Sequence, residues 1–386
     1  MCGICGYIAR KASEIPDSAH LKAMTETLRH RGPDDEGYYR NDNVGLGHRR
    51  LSIIDLSPLA HQPMTIEGKP LHIIFNGEIY NFQDVRSDLE AIGVRFKTRS
   101  DTEVILQAYT AWGPDCLHRL NGMFAFAIYD SESGELFLAR DRMGVKPLYY
   151  VETEDHFIFA SELKAIMAHP YFSRDLDQQA VEYYFAFKYI RAPQTIFAHT
   201  HKLKPGHYAM VSVQKRGVSV VKYWDPLDIM KNRNGEDRGE LVYQEELEAL
   251  LESAVRYRLI SDVPVGALLS GGVDSSLIVS LMTRQTPHVK TFSIGFIEEA
   301  YNEAPFARKV AEALGTDHEE LLCTPQDVFS SIDVLARHFD EPFADPSALP
   351  TYLVSKLART KVTVGLSGDA GDEMFWGYSR YQKYRT

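Results

Sequence analysis

Two places in the sequence hold residue types that can do chemistry together. The first is Cys2, which follows Met1 directly and precedes the small Gly3. Removal of Met1 places a thiol and a free α-amino group on one residue. With a reference pKa of about 7.7 to 8.0, that amine can take up a thiol proton near neutral pH, so one residue supplies both nucleophile and base. The spacing Cys2-x-x-Cys5 also suits a redox or zinc pair, yet no second CxxC or neighbouring His completes a zinc set and no βαβ pattern precedes it. The second place is Leu269-Ser270-Gly271-Gly272-Val273-Asp274-Ser275-Ser276, between the apolar run VGALL and a helical pattern that starts near Asp274. Gly271 and Gly272 leave backbone N–H groups open, and Ser270, Ser275 and Ser276 add hydroxyls. The helix N-terminus adds about half a positive charge, so the loop suits a phosphate. It is not a Walker A loop, because the lysine is absent.

Each place needs elements to aim it. The first half holds short runs rich in aromatic and β-branched residues, GYIA, LHIIFNGEIYN, GMFAFAIYD, ELFLARD and HFIFASE, separated by Gly, Asn and Pro turns, which predicts strands. Helical periodicity over Phe82 to Gly93, Asp101 to Trp112 and Asp177 to Phe187 makes this half mixed and predicts two packed sheets covered by helices. After the strand-like pair GHYAMVSV and VSVVKYW, the stretch Pro226 to Glu240 is polar, bears Gly and lacks an apolar period, which marks a domain boundary. Beyond it, helix (Tyr243 to Leu259), strand (VGALLS), helix (Asp274 to Thr283), strand (TFSIGF), helix (Ala304 to Leu314), strand (HEELLC), two helices and a strand (VTVGLS) follow one another. That alternation predicts a parallel sheet with helices on its faces. The final YSRYQKYR starts a helical pattern close to the last residue, so a longer α/β domain is expected.

Composition narrows the class. At about 150 residues per domain, 386 residues make two or three domains. With 44% hydrophobic and 25% charged residues the chain has the proportions of a soluble globular protein. A net charge of −11 repels a nucleic-acid backbone, so nucleic acid is not an expected partner. The sequence has no apolar run of about 20 residues and no signal-like N-terminus, so no membrane partner is expected. Four cysteines are too few for a disulfide framework and agree with a cytoplasmic location.

Around Cys2 stand His30-Arg31-Gly32-Pro33-Asp34, His48-Arg49-Arg50-Leu51-Ser52, Asn76-Gly77-Glu78-Ile79-Tyr80-Asn81 and Ser100-Asp101-Thr102-Glu103. Together these resemble the class II glutamine amidotransferases, whose glutaminase domain is an α+β N-terminal-nucleophile hydrolase of αββα stacked sheets. The resemblance implies that Cys2 attacks the side-chain amide of glutamine, releasing ammonia. The catalytic set it implies is Cys2, Asn76 and Gly77, with the Asn76 amide and the Gly77 N–H as donors to the oxyanion. Arg50 matches the α-carboxylate of glutamine in type, Glu78 and Asp101 match its α-ammonium, and Leu51, Ser52, Ile53 and Ile54 complete the implied glutamine site. Arg31 and Asp34 read as a turn-locking pair.

The heptad Ser270 to Ser276 resembles the pyrophosphate loop of the ATP pyrophosphatase superfamily, an α/β parallel-sheet fold. Thr291 to Gly295 and Leu366-Ser367-Gly368-Asp369-Ala370-Gly371-Asp372-Glu373 extend the match. The implied ATP site is Leu269, Ser270, Gly271, Gly272, Asp274, Ser275, Ser276, Ile294, Ser367 and Gly368. Asp274 and Asp372 are the implied Mg²⁺ ligands, and Glu373, with Asp345, is a candidate for the acceptor site. In this order the two modules resemble the glutamine-hydrolysing asparagine synthetase family. That implies residues 2–225 as glutaminase domain, 226–240 as linker and 241–386 as an incomplete synthetase domain. The implied substrates are glutamine, aspartate and ATP, with family precedent for a homodimer. Two departures stand out, Ala370 for a usual Gly and the bulky Trp376 for a small residue. Three functions fit: a ligase making asparagine or amidating another carboxylate, a glutaminase with an impaired second half, and a non-catalytic nucleotide-binding or assembly protein.

Overall fold

The computed structural model describes residues 1–11, 16–231, 237–299 and 302–382. The chain divides into two compact units, Met1–Gly235 with Phe339–Ala344, and Glu236–His338 with Asp345–Thr386.

In the first unit the strands are β1 (Gly3–Ala9), β2 (Asp35–Arg40), β3 (Val44–Arg50), β4 (Met64–Thr65), β5 (Leu71–Ile79), β6 (Gly122–Asp130), β7 (Glu135–Arg140), β8 (Tyr149–Glu152), β9 (His156–Ala160), β10 (Thr200–Lys202), β11 (His207–Ser212) and β12 (Val218–Lys222). They form two six-stranded antiparallel sheets, ordered β10-β8-β9-β1-β3-β2 and β12-β11-β7-β6-β5-β4. Side chains alternate along each strand, and that alternation builds the layers. Ile4, Ile8, Val44 and Leu46 of the first sheet meet Ile74, Ala125, Leu136 and Leu138 of the second in one inner core. Cys5, Tyr7 and Ala9 point the other way, onto Leu21 and Met24 of α1 (Ser18–Glu26) and Leu163 and Ile166 of α4 (Leu163–Met167). On the outer face of the second sheet lie α2 (Phe82–Ala91) and α3 (Asp101–Trp112), where Tyr109 stacks on Phe137 of β7 at 4.9 Å between ring centres. The result is the αββα arrangement of the N-terminal-nucleophile hydrolases.

The sequence pattern misses β2, β3, β4, β8 and β10; in β3, Gly45 and Gly47 break the β-like run. Both glycines are there for close packing. A Cβ on Gly45 would lie 2.5 Å from the Tyr7 ring, and one on Gly47 would lie 2.1 Å from the Thr25 hydroxyl. α2 ends two residues before the predicted Gly93. α5 (Gln178–Phe187) starts one residue late because Asp177 serves as its cap, accepting from the Gln179 and Ala180 N–H groups. α6 (Pro226–Lys231) occupies part of the stretch expected to lack periodicity; residues 232–236 of that stretch lie outside the described residues.

The second unit runs α7 (Glu240–Arg258), β13 (Val265–Leu268), α8 (Val273–Gln285), β14 (Lys290–Phe296), α9 (Ala304–Leu314), β15 (Asp317–Cys323), α10 (Pro325–His338), α11 (Ala348–Ala358), β16 (Val364–Leu366), α12 (Gly371–Phe375) and α13 (Ser379–Gln382). Its four strands are parallel, ordered β15-β14-β13-β16. Ala267, Leu269, Val279, Met282, Ala307 and Ala311 pack on one face, and Phe292, Ala358 and Val362 on the other. Helices therefore cover both sides of the sheet, as the alternation predicts. Among the described residues no helix is long and apolar enough to cross a membrane.

Candidate active site

The inner core places the first site. Cys2 has the same parity as Ile4 and Ile8, and Asn76 and Glu78 the same parity as Ile74, so these side chains belong to the space between the sheets. The Cys2 Sγ accepts the Leu51 N–H at 3.4 Å and can donate to the Leu51 carbonyl at 3.7 Å. Cys5, on the opposite face, is fully buried against the Thr25 hydroxyl, and burial pushes its thiol up to about 12. The two cysteines thus face different layers, which excludes a Cys2–Cys5 pair.

A cleft with about 500 Å³ of empty space opens beside the Cys2 thiol. Of the residues predicted for the first site, Cys2, Arg50, Leu51, Ile53, Ile54, Gly77, Glu78 and Asp101 line it. Ser52 does not, and its N–H donates to the Asp34 carboxylate at 2.9 Å. Asn76 does not line it either: it is 0% exposed, and neither its Oδ1 nor its Nδ2 has a partner among the described residues. Leaving such a group unpaired costs about 1 to 3 kcal/mol, so the amide is held ready for something absent from the folded chain.

Gly77 is required twice. Its Cβ would lie 2.2 Å from the Met123 carbonyl, so only Gly lets β5 and β6 approach. In addition, the Phe75 N–H donates to Gln62 and the Ile79 N–H to Asp101, both on the side away from β6. Alternation along an antiparallel strand turns the Gly77 N–H the same way, into the gap between those two caps. Asp101 sits in the first turn of α3, which Ser100 caps through the Thr102 N–H. Burial pushes its carboxyl up to about 6, partly offset by the N–H groups of Ile79, Thr102 and Asp101 itself. Arg50 donates to the Asp55, Ile54 and Ser57 carbonyls, which fixes its guanidinium at the cleft. Burial pushes the His48 imidazole down to about 3, so it stays neutral on the Phe75 carbonyl and offers no base.

Several neighbours escaped the sequence reading. Gln62, Met123 and Lys146 also line the cleft, yet no local motif marks them. The expected Arg31–Asp34 turn pair is a correction. Arg31 donates through Nε to the Cys2 carbonyl at 2.8 Å and through Nη1 to Glu162 at 2.7 Å, while Asp34 holds Ser52. Each reaches a separate part of the site rather than the other.

The second loop lies where β13 passes into α8. Gly271 has φ +82, and a Cβ on it would lie 2.5 Å from the Ala307 N. The Ser270 and Ser275 hydroxyls are 2.9 Å apart, and the Ser270 Oγ accepts the Gly272 N–H. The buried Ser276 Oγ has no partner among the described residues. Leu269 and Gly368 follow the adjacent strands β13 and β16, and Ile294 stands near the end of β14. Ser367 donates to Asp369 at 2.9 Å. A Cβ on Gly368 would lie 2.7 Å from the Ser275 N, and one on Gly371 2.4 Å from the Asp274 carboxylate carbon. The loop after β16 therefore closes directly on the first turn of α8, bringing Asp274 beside Gly371 and one residue from Asp372.

Among the described residues no group of three or more His, Cys, Asp or Glu side chains gathers as a self-sufficient metal cage. Asp274 and Asp372 are the two carboxylates this loop closure brings toward the first turn of α8. Glu373 is exposed and accepts from the Tyr378 hydroxyl at 2.6 Å. Asp345 accepts from Ser347 in its own turn. The Thr291 and Ser293 hydroxyls are both on the His318 ring, away from any loop.

Comparison with known proteins agrees with this division. Residues 1–224 match the family model described as glutamine amidotransferase domain, and residues 246–386 the one described as asparagine synthase. The chain is similar to asparagine synthetase [glutamine-hydrolyzing] 1 of Bacillus subtilis, 38% identical over 385 residues that cover 99% of this chain and 60% of the relative. It is also similar to the putative asparagine synthetase [glutamine-hydrolyzing] 2 of Methanocaldococcus jannaschii, 41% identical over 400 residues that cover 98% and 76%. The chain thus spans about 60% of the length of the first relative.

One departure has a measurable consequence. Ala370 adopts φ 75, the left-handed region that favours Gly, and Trp376 adopts φ 60. Ala370→Gly should relieve strain of about 1 kcal/mol and raise the unfolding midpoint of the second unit in urea. A lowered midpoint would show that the alanine is unstrained.

Proposed function

The chain belongs to the glutamine-hydrolysing asparagine synthetase family, and on that premise we propose that it hydrolyses glutamine at Cys2 and delivers the ammonia to an aspartyl-adenylate made from ATP. The observation that carries the first half is the Asn76 amide, fully buried between the sheets and with no partner among the described residues. After loss of Met1, the Cys2 α-amine takes the thiol proton and the thiolate attacks the glutamine side-chain carbonyl. Negative charge then develops on the carbonyl oxygen, where the Asn76 Nδ2–H and the Gly77 N–H meet it. The amine returns its proton to the departing ammonia, and water clears the glutamyl thioester. Arg50 pairs with the α-carboxylate, Glu78 and Asp101 with the α-ammonium, and Leu51, Ile53 and Ile54 wall the methylenes.

In the second unit, the residues Ser270 to Ser276 with the open N–H groups of α8 receive the phosphates, and Leu269, Ile294, Ser367 and Gly368 receive the adenosine. Asp274 and Asp372 would hold Mg²⁺, whose charge offsets that of the leaving pyrophosphate. Glu373 is assigned to the acceptor side. In this reading residues 2–225 are the glutaminase domain, 226–240 the linker and 241–386 the synthetase part. Free cysteines and ATP dependence suit a cytoplasmic setting. The left-handed Ala370 and Trp376 favour a second reading, a glutaminase whose adenylation site is impaired.

The two readings separate in one assay. Pyrophosphate release from MgATP that depends on aspartate supports the synthetase, whereas glutamate formation without pyrophosphate, under every carboxylate acceptor tried, supports the glutaminase alone. Cys2→Ala should abolish glutamate formation, and Asn76→Ala should lower kcat about 10²- to 10³-fold with little change in KM. Full activity in either variant would overturn the assignment. Because the Asp101 carboxyl stands at about 6, it is ionised above that pH and neutral below. The KM for glutamine should therefore rise as pH falls through about 6, and Asp101→Asn should flatten that rise.

A further inference from the structure

Residues Phe339–Ala344 join α10 to α11, both elements of the second unit, yet they pack with the first. Two carboxylates hold them there. Asp340 pairs through Oδ1 with Lys164 Nζ at 2.9 Å and accepts the Lys164 N–H through Oδ2 at 2.8 Å. Glu341 pairs with Lys202 and accepts the Ile196 N–H at 3.3 Å. The Ala344 N–H donates to the Lys188 carbonyl at 2.9 Å.

The Asp340 contact does not end at Lys164. The same Nζ reaches Glu162 at 2.6 Å, and Glu162 accepts from Arg31, whose Nε holds the carbonyl of Cys2. The side chains along this path are 9% to 21% exposed, so water screens them weakly. Burial would push the Glu162 carboxyl up, but His30, Arg31 and Lys164 together hold it well below the ordinary range. It is therefore a fixed anion. An arginine between a fixed anion and a backbone carbonyl has little freedom, and neither has the carbonyl. Lys164 faces two carboxylates, and without Asp340 it can follow Glu162 alone.

We propose that Asp340 is a positioning residue for the nucleophile, acting on Cys2 through Lys164, Glu162 and Arg31. Asp340 lies in the run Phe339–Ala344 of the first unit, so the aim of the first site depends on the Asp340–Lys164 pair. The inference rests on the reading of Cys2 as the glutaminase nucleophile. It gives a positional reason for an ion-pair path that does not enter the cleft.

The test uses the full chain and measures glutamate formed from glutamine. Asp340→Asn should lower kcat about tenfold while leaving the KM for glutamine within a factor of two, because the thiol is misaimed and the binding groups Arg50, Glu78 and Asp101 are untouched. Asp340→Glu should recover most of kcat. The effects of Asp340→Asn and Glu162→Gln should be less than additive, since both break one path. Lys164→Arg, which keeps the charge, covers the case in which Asp340→Asn fails to fold, and should stay within about threefold of the parent. Wild-type kcat in Asp340→Asn, full additivity, or a loss confined to KM each overturns the proposal. If instead the parent chain forms no glutamate, or Cys2→Ala still forms it, the glutaminase reading itself fails.

Discussion

Aliphatic packing between two antiparallel sheets positions everything in the first unit. Ile4, Ile8, Val44, Leu46, Ile74, Leu136, Leu138 and Leu148 are each 0% or 1% exposed. Burial of such side chains contributes roughly 1.5 to 3 kcal/mol apiece. That sum exceeds by several-fold the few kcal/mol lost in leaving the Asn76 amide unpaired. The core can therefore hold an unsatisfied polar group in place, and the same parity that inserts Ile4 and Ile74 carries Cys2 and Asn76 into the space between the sheets. A slip of one residue in β1 would send the thiol to the α1 side, where Cys5 shows what burial does to it.

Charge in this unit follows from the same geometry. Three consecutive or nearby arginines do three different things. Arg50 enters the cleft on backbone carbonyls, Arg49 pairs with Glu26 and Glu36, and Arg31 holds Cys2 against Glu162. The His48 imidazole on β3 is kept neutral by burial.

The second unit works on a different principle. Its parallel strands all present their carboxyl ends to one edge, so loops far apart in the chain converge there without any shared motif. Gly271, Gly368 and Gly371 are the points of contact, each where a Cβ would strike backbone or carboxylate. Ala370, by contrast, sits where glycine would be at ease, and that single methyl is the main local strain in the loop after β16.

The sequence by itself determined the residue types, the strand and helix periods and the loops at element ends. These are local properties, written in windows of a few residues. Cys2, the Asn76-Gly77 pair and the Ser270 to Ser276 loop were legible for that reason, as was the change from two packed sheets to a parallel sheet. Gly45 and Gly47 hid β3, because the partner that explains a glycine in a strand is a side chain from elsewhere. Tertiary structure alone decided which carboxylate each arginine serves, that Gln62 and Lys146 join the cleft, and that Asp340 and Glu341 belong with the first unit. Such pairings join residues from about 30 to more than 170 positions apart. Their energy depends on burial and on distances of a few ångströms, which exist only after the sheets have closed.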